Sequence, residues 1–231
     1  MTTSEKDHPI MDNIDRIYSI LRHELGNSVN SLTITLEVLL KNYELFNDET
    51  RIEFISRSLD QVNRQYRILE GMRLYQSADI RNVTQIRLPG FIETVTRAFK
   101  NTLSSTGVAM TLRLKGTPSV IMADADGLAQ TFNSFLDNAM DALKSCNNPE
   151  ILVSYTRDAK NAVITITDNG EGMTEEVLKK VEVPLFSARE NRMGLGVSIA
   201  RKMILKMGGT MDISSARPGG TTVTICFPVI K

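Results

Sequence analysis

Thr167-Asp168-Asn169-Gly170-Glu171-Gly172-Met173 decides how the larger part of this chain is read. It closes the alternating run Ala162–Thr167, a strand pattern. Its glycines permit a tight turn against a flat ligand, and Asp168 can accept a hydrogen bond from an exocyclic amine. Upstream, Ile151–Arg157 reads as the partner strand, joined through Asp158–Lys160, and Asp124-Ala125-Asp126 caps a strongly amphipathic helix running to about Ser145. Strands at Val83–Leu88, Val108–Leu114 and Val120–Ala123 and a helix at Pro89–Leu103, with its proline near the start, come before that. Downstream lie a short helix at Glu175–Lys180 and a helix at Leu195–Met207. A closing hairpin follows, Thr210–Ser215 with Thr221–Phe227, turned by Pro218-Gly219-Gly220. The expected architecture is an α+β, α/β-sandwich domain: a mixed, largely antiparallel sheet with helices on one face.

The N-terminal third has another rhythm. Ile17, Leu21, Leu25, Leu32, Leu36, Leu39 and Tyr43 recur at helical spacing, and Asn47-Asp48-Glu49-Thr50 supplies turn and N-cap residues. A second series then runs through Ile52, Ile55, Leu59, Val62, Tyr66 and Leu69 to about Tyr75. The pair predicts an antiparallel helical hairpin. Each helix has a single apolar stripe, so a second copy is expected to complete a four-helix bundle, making the protein a homodimer. The resulting division is a flexible tail at 1–9, a hairpin at 10–78 and the sandwich domain at 79–231.

The 231 residues carry 27 Lys and Arg against 27 Asp and Glu, a formal charge of zero that gives no basic excess for nucleic acid or an anionic membrane. No apolar run approaches the roughly 18 to 20 residues of a membrane span, and Met1–Asp7 is not a signal peptide. A cytoplasmic location with no membrane contact from this segment is expected. Cys146 and Cys226 lie far apart without CxxC or Cys/His clustering, which predicts free buried thiols.

Chemistry-bearing residues fall in four places. Within the first helix, Arg22-His23-Glu24-Leu25-Gly26-Asn27 puts an imidazole, a carboxylate and an amide in one neighbourhood. A neutral imidazole with one nitrogen held by a carboxylate is a competent nucleophile, and a solvated polar patch is the plainer alternative. Gly26 there reads equally as local flexibility, close approach of a partner backbone, or a tolerated surface glycine. In the amphipathic helix, Asn138 of Leu136-Asp137-Asn138-Ala139-Met140-Asp141-Ala142 offers an amide oxygen that suits a hard cation. The third place is the Asp168 turn. The fourth is Met193-Gly194-Leu195-Gly196-Val197, where backbone N–H groups at a helix start can bind phosphate.

Asn138, Asp168-Xaa-Gly170-Xaa-Gly172, Pro184-Leu185-Phe186 and Gly194-Xaa-Gly196, in that order, resemble the N, G1, F and G2 boxes of the Bergerat-fold (GHKL) ATPases. His23-Glu24-Leu25-Gly26-Asn27-Ser28 resembles the H-box of two-component sensor histidine kinases, closest to the variant H-E-I-M-N-S. The resemblance implies a dimerisation and histidine-phosphotransfer hairpin followed by an ATP-binding domain. It implies that His23 takes the γ-phosphoryl group of ATP, that Glu24 is its acid/base partner, and that Asn27 positions a water for dephosphorylating a response regulator. Asn138 would hold Mg²⁺ and Asp168 would read the adenine amine. Gly170, Gly172, Gly194, Leu195 and Gly196 would line the nucleotide, with Arg189 of Ser187-Ala188-Arg189 reaching a phosphate or simply solvated. The implied partner is a response-regulator receiver domain.

Three departures from the family pattern stand out. Ser28 replaces the usual H-box proline, Ser134 replaces a frequent second asparagine, and Arg192 replaces the first glycine of GxGxG, within a short Gly172–Gly194 segment that predicts a small lid. Two other readings use the same residues. One is an ATP-independent histidine phosphotransferase with a degenerate ATP domain. The other is a GHKL ATPase of another class, which would carry a glutamate where Ser134 stands and lack an H-box.

Overall fold

The computed structural model describes residues 8–103, 106–189 and 192–230; on the first helix, side chains are described at Ser19, Arg22 and from Leu25 onward. The chain divides into two compact units, Met1–Tyr75 and Gln76–Lys231.

The first unit is built from α1 (His8–Lys41) and α2 (Asp48–Ser77). The tail expected at 1–9 lies outside the described residues up to position 7, and from His8 onward the chain is already helical. Asn47 caps α2, its Oδ1 accepting from the Thr50 N–H at 2.8 Å. Arg51 locks the turn by donating from Nε and Nη2 to the Tyr43 carbonyl at 2.9 and 2.7 Å, its guanidinium 4.3 Å above the Tyr43 ring. Further along, buried Ser28 donates to Gln61 Oε1 at 3.1 Å and accepts from Gln65 Nε2 at 3.4 Å, which fixes the antiparallel register. α1 runs unbroken through Gly26, where an added Cβ would meet nothing within 4 Å among the described residues, so packing against those residues does not demand a glycine there. The apolar stripe is wider than one hairpin can cover. Leu39 is buried, but Ile34, Leu40, Ile52, Leu59 and Tyr66 are exposed.

The second unit runs β1 (Val83–Arg87), α3 (Leu88–Leu103), β2 (Ala109–Leu114), β3 (Val120–Asp124), α4 (Ala125–Ala142), β4 (Glu150–Arg157) and β5 (Asn161–Asp168). It continues with α5 (Glu175–Leu178), α6 (Gly196–Lys206), β6 (Thr210–Ser215) and β7 (Thr221–Pro228). Five strands form one sheet in the order β2-β4-β5-β7-β6, antiparallel except for the parallel β2–β4 pair. The expectation of a single sheet is corrected in one respect: β1 and β3 form their own antiparallel ribbon, with Val83 opposite Asp124 and Arg87 opposite Val120. Alternation in sequence shows which face of a strand is buried but not which strand it pairs with.

On the large sheet Ile151, Val153 and Tyr155 of β4 and Ala162, Ile164 and Ile166 of β5 point into the core. They pack with Ile92 and Phe99 of α3, Leu128, Phe132 and Leu136 of α4, and Ile204 of α6. Asp124 ends β3 and starts α4. Its carboxylate accepts from Gly127 N–H at 2.9 Å, the N-cap bond, and from Arg81 and Asn82 N–H at 2.6 and 2.8 Å. These backbone donors, Gly127 first, pull the Asp124 pKa down to about 2.

Candidate functional site

The three polar segments of the second unit meet at the C-terminal half of α4. Asn138 is half-buried, and a Cβ added to Gly196 at the start of α6 would lie 3.9 Å from Asn138 Nδ2 and 2.6 Å from Ser134 Oγ. The serine that replaces the second asparagine therefore touches the first residue of α6. One turn further along α4, the Ala142 carbonyl accepts from the Glu171 N–H at 3.2 Å and would lie 2.6 Å from a Cβ on Gly170. The Asp168 turn thus closes onto the end of α4, and α6 begins beside its middle.

The glycines of the turn owe their missing side chains to the protein itself. Gly170 makes room for Ala142, Gly172 for the Ala216 carbonyl, and Gly194, at φ +67°, for the Phe186 carbonyl, which a Cβ would approach to 2.1 Å. Sequence reasoning gave the turn glycines to a flat ligand; the close backbone crossings are a tertiary reason that no local pattern shows. The start of α6 at Leu195 carries no side-chain cap, which leaves backbone donors there for an anion. Leu195 itself is 6% exposed and accepts from Ser198 Oγ at 3.0 Å and Ile199 N–H at 2.9 Å through its carbonyl.

Asp168 is 7% exposed and accepts from the Gly170 N–H at 2.9 Å. Burial pushes its pKa up, against backbone bonds from Gly170 and Thr221 and the charge of Arg189. It is a buried acceptor that gains from a neutral or partly positive donor.

Residues 123–231 match the histidine kinase-, DNA gyrase B- and HSP90-like ATPase family. The chain carries a sensor histidine kinase ATP-binding core. Over 230 residues the chain is 23% identical to sporulation kinase D of Bacillus subtilis, covering 98% of this chain and 44% of that protein. It is 27% identical over 222 residues to the sensory histidine kinase/phosphatase NtrB of Vibrio alginolyticus, covering 91% of this chain and 61% of that one. Among solved structures, the mycobacterial sensor histidine kinase MprB superposes with a TM-score of 0.56 at 24% identity, over 64% of this chain and 98% of that chain. Histidine kinase ThkA, solved in complex with response regulator protein TrrA, gives 0.63 at 19% identity, over 98% of this chain and 64% of that chain. These superpositions establish the fold. The chain spans about half the length of the curated relatives it matches.

In the ATP-binding core, Arg189 and Arg192, which lie between α5 and α6, are held by charge. Arg189 is partly exposed and ion-paired: its Nη2 donates to Glu171 Oε1 at 3.1 Å and its Nη1 lies 3.5 Å from Asp141 Oδ2. Arg192 also pairs with Asp141. Asp141, Glu171 and Asn169 received no role from the sequence. Asn169 accepts from the Glu150 N–H at 2.8 Å and donates to the Asn148 carbonyl at 3.0 Å, which ties the turn to β4. The available signal for Asp141 was its spacing of three residues from Asn138 on one helix face.

Among the described residues no group of three His, Cys, Asp or Glu side chains could hold a metal. One amide oxygen suits Mg²⁺, which takes few protein ligands when phosphates and water complete its shell. Cys146 and Cys226 are free but half-buried rather than fully buried as expected; Cys146 Sγ donates to the Asn169 carbonyl at 3.3 Å. Among the described residues no helix is long and apolar enough to cross a membrane. On the first unit, the His23 and Glu24 side chains lie outside the described residues. Their backbone is helical, and Asn27 on the next turn is exposed.

Proposed function

We propose that this chain is an ATP-dependent protein histidine kinase core that phosphorylates His23 from ATP and passes the phosphoryl group to an aspartate of a response-regulator receiver domain. The observation that carries the reading is the convergence on α4 of Asn138, the Asp168 turn and the uncapped start of α6, segments about 30 and 25 residues apart in sequence. Kinship with sporulation kinase D and NtrB, and the fold shared with ThkA, support it. The ThkA–TrrA complex supports the choice of a receiver domain as partner.

Asp168 accepts the exocyclic amine of adenine, and the α6 start receives phosphate oxygens. Gly170, Gly172, Gly194, Leu195 and Gly196 frame the site, and Asn138 would hold Mg²⁺, which would supply neutralisation of the phosphate charge. The unprotonated nitrogen of His23 attacks the γ-phosphorus, the bond from that phosphorus to the β,γ-bridging oxygen breaks and ADP leaves, while Glu24 holds the other ring nitrogen and takes up its proton. Asn27 positions the water that removes phosphate from the receiver. The exposed stripe of Ile34, Leu40, Ile52, Leu59 and Tyr66 is covered in a homodimeric four-helix bundle. The core works in the cytoplasm, where ATP and receiver are available.

The test is label uptake from γ-labelled ATP with Mg²⁺. The wild type gains an acid-labile, base-stable phosphate, and His23→Gln and Asn138→Ala lose it. A wild type that takes no label from ATP but accepts phosphate from a phosphorylated receiver overturns the kinase reading in favour of a phosphotransferase. Light scattering at micromolar concentration gives a dimer mass; a clean monomer overturns the bundle.

A further inference from the structure

The helix face that carries Asn138 carries Asp141 one turn on. Its side chain is 9% exposed and is surrounded by cations: Lys144 Nζ at 2.8 Å, Arg189 Nη1 at 3.5 Å, and Arg192 in direct contact. Glu171 shares Arg189 at 3.1 Å and takes Arg217 at 3.8 Å. Burial works to raise the Asp141 pKa, but hydrogen bonds from Lys144 and Arg192 outweigh it and the net is a lowered value. The cations keep Asp141 ionised, and Asp141 in turn fixes two arginines from the segment that leads into Gly194.

The position of this carboxylate matters. Asp141 follows Asn138, which lies beside Gly196, and precedes Ala142, whose carbonyl receives the Asp168 turn. A nucleotide with its adenine at Asp168 and its phosphates at the α6 start would span the stretch of α4 between Ala142 and Asn138, and Asp141 lies within that stretch. Guanidinium groups bind carboxylate and phosphate through the same planar fork, and phosphate offers more charge and more acceptors.

We propose that Asp141 stands in for the terminal phosphates of the nucleotide: in nucleotide-free protein it holds Arg189 and Arg192 in place, and bound triphosphate takes both guanidinium groups from it. Arg192 is then a triphosphate-binding residue rather than only a lost glycine. The exchange makes affinity depend on ligand charge. A triphosphate can displace the carboxylate, a diphosphate does so less well, and a nucleoside cannot. The inference rests on the nucleotide reading given above.

The test is calorimetric titration of the full chain with ATP, ADP and adenosine in the presence of Mg²⁺. Four proteins are compared: wild type, Asp141→Asn, the double variant Arg189→Ala/Arg192→Ala, and the triple variant combining all three changes. Asp141→Asn is expected to tighten ATP about fivefold, as loss of its competing, partly exposed ion pairs with Arg189 and Arg192 implies, to tighten ADP less and to leave adenosine unchanged. The double arginine variant weakens ATP. In that background Asp141→Asn gains nothing, which marks the arginines as the route of the effect.

An equal gain in both backgrounds means simple removal of a like charge and overturns the exchange. So does no gain in either. Wild type that binds adenosine and ATP, with all variants alike, overturns the exchange and leaves the nucleotide reading standing; wild type that binds none of the three ligands overturns both. Retained adenosine binding reports a folded site. If Asp141→Asn loses it, the ATP-to-adenosine affinity ratio of the double arginine variant decides, and an unchanged ratio overturns the proposal.

Discussion

Replacing Asp124 by asparagine removes a negative charge from the point where three backbone donors converge. The N–H of Gly127 donates to one oxygen at 2.9 Å, and those of Arg81 and Asn82 donate to the other at 2.6 and 2.8 Å; the residue is 5% exposed. A pKa lowered from 3.8 to about 2 corresponds, at about 1.36 kcal/mol per tenfold change, to about 2 kcal/mol of stability at pH 7. Asparagine also turns one oxygen into a donor facing other donors, so the loss is at least that large. Because the folded pKa lies below the unfolded one, the contribution is complete above 3.8 and disappears as pH falls through about 2. Urea unfolding followed by far-UV circular dichroism measures it at a series of pH values. Wild type should exceed Asp124→Asn by about 2 kcal/mol at pH 7, with the gap closing as the pH is lowered towards about 2. A gap under about 0.5 kcal/mol at pH 7, or one that persists unchanged at the acid end, refutes the argument.

Asp168 has the opposite sign. Burial raises its folded pKa, so its contribution is full below the unfolded pKa and is lost as pH rises through the folded one. Asp168→Asn should raise the melting temperature of nucleotide-free protein at pH 7 while weakening adenine binding about tenfold or more; scanning calorimetry and ATP titration check the two halves. Gly170→Ala puts a methyl 2.6 Å from the Ala142 carbonyl. It should cost about 1–3 kcal/mol in urea unfolding and lower ATP affinity by shifting the Asp168 turn. Ser28→Ala leaves the Gln61 and Gln65 amides without their shared hydroxyl. It should cost about 1 kcal/mol in urea unfolding, with no dependence on pH between 5 and 9.

Most of the fold was legible because its signals are local. The two helices of the hairpin were set by apolar spacing, the Asn47 cap by its residue type, and α4 by Asp124 and one apolar face. The closing hairpin was marked by Pro218-Gly219-Gly220 and matches β6 and β7 within a residue at one end. Where α1 begins was not legible, since His8-Pro9 is as compatible with a first turn as with a tail. The candidate site was legible as a list. Asn138, Asp168 and the glycine pairs are residue types that suit their chemistry at fixed offsets.

The sequence by itself determined which elements form, which faces they bury and which residues can do chemistry, because hydrophobic period, caps and turn residues act over a few positions. Only the tertiary structure decided that β1 and β3 leave the sheet, that Gly170 and Gly194 are demanded by crossing backbone, and that Arg189 and Arg192 converge on Asp141. Each of those depends on contacts between segments distant along the chain: Arg192 and Asp141 are 51 residues apart. Strand pairing, steric clearance and charge pairing at such separations are set by how the packed elements bring residues together, and no local pattern encodes them.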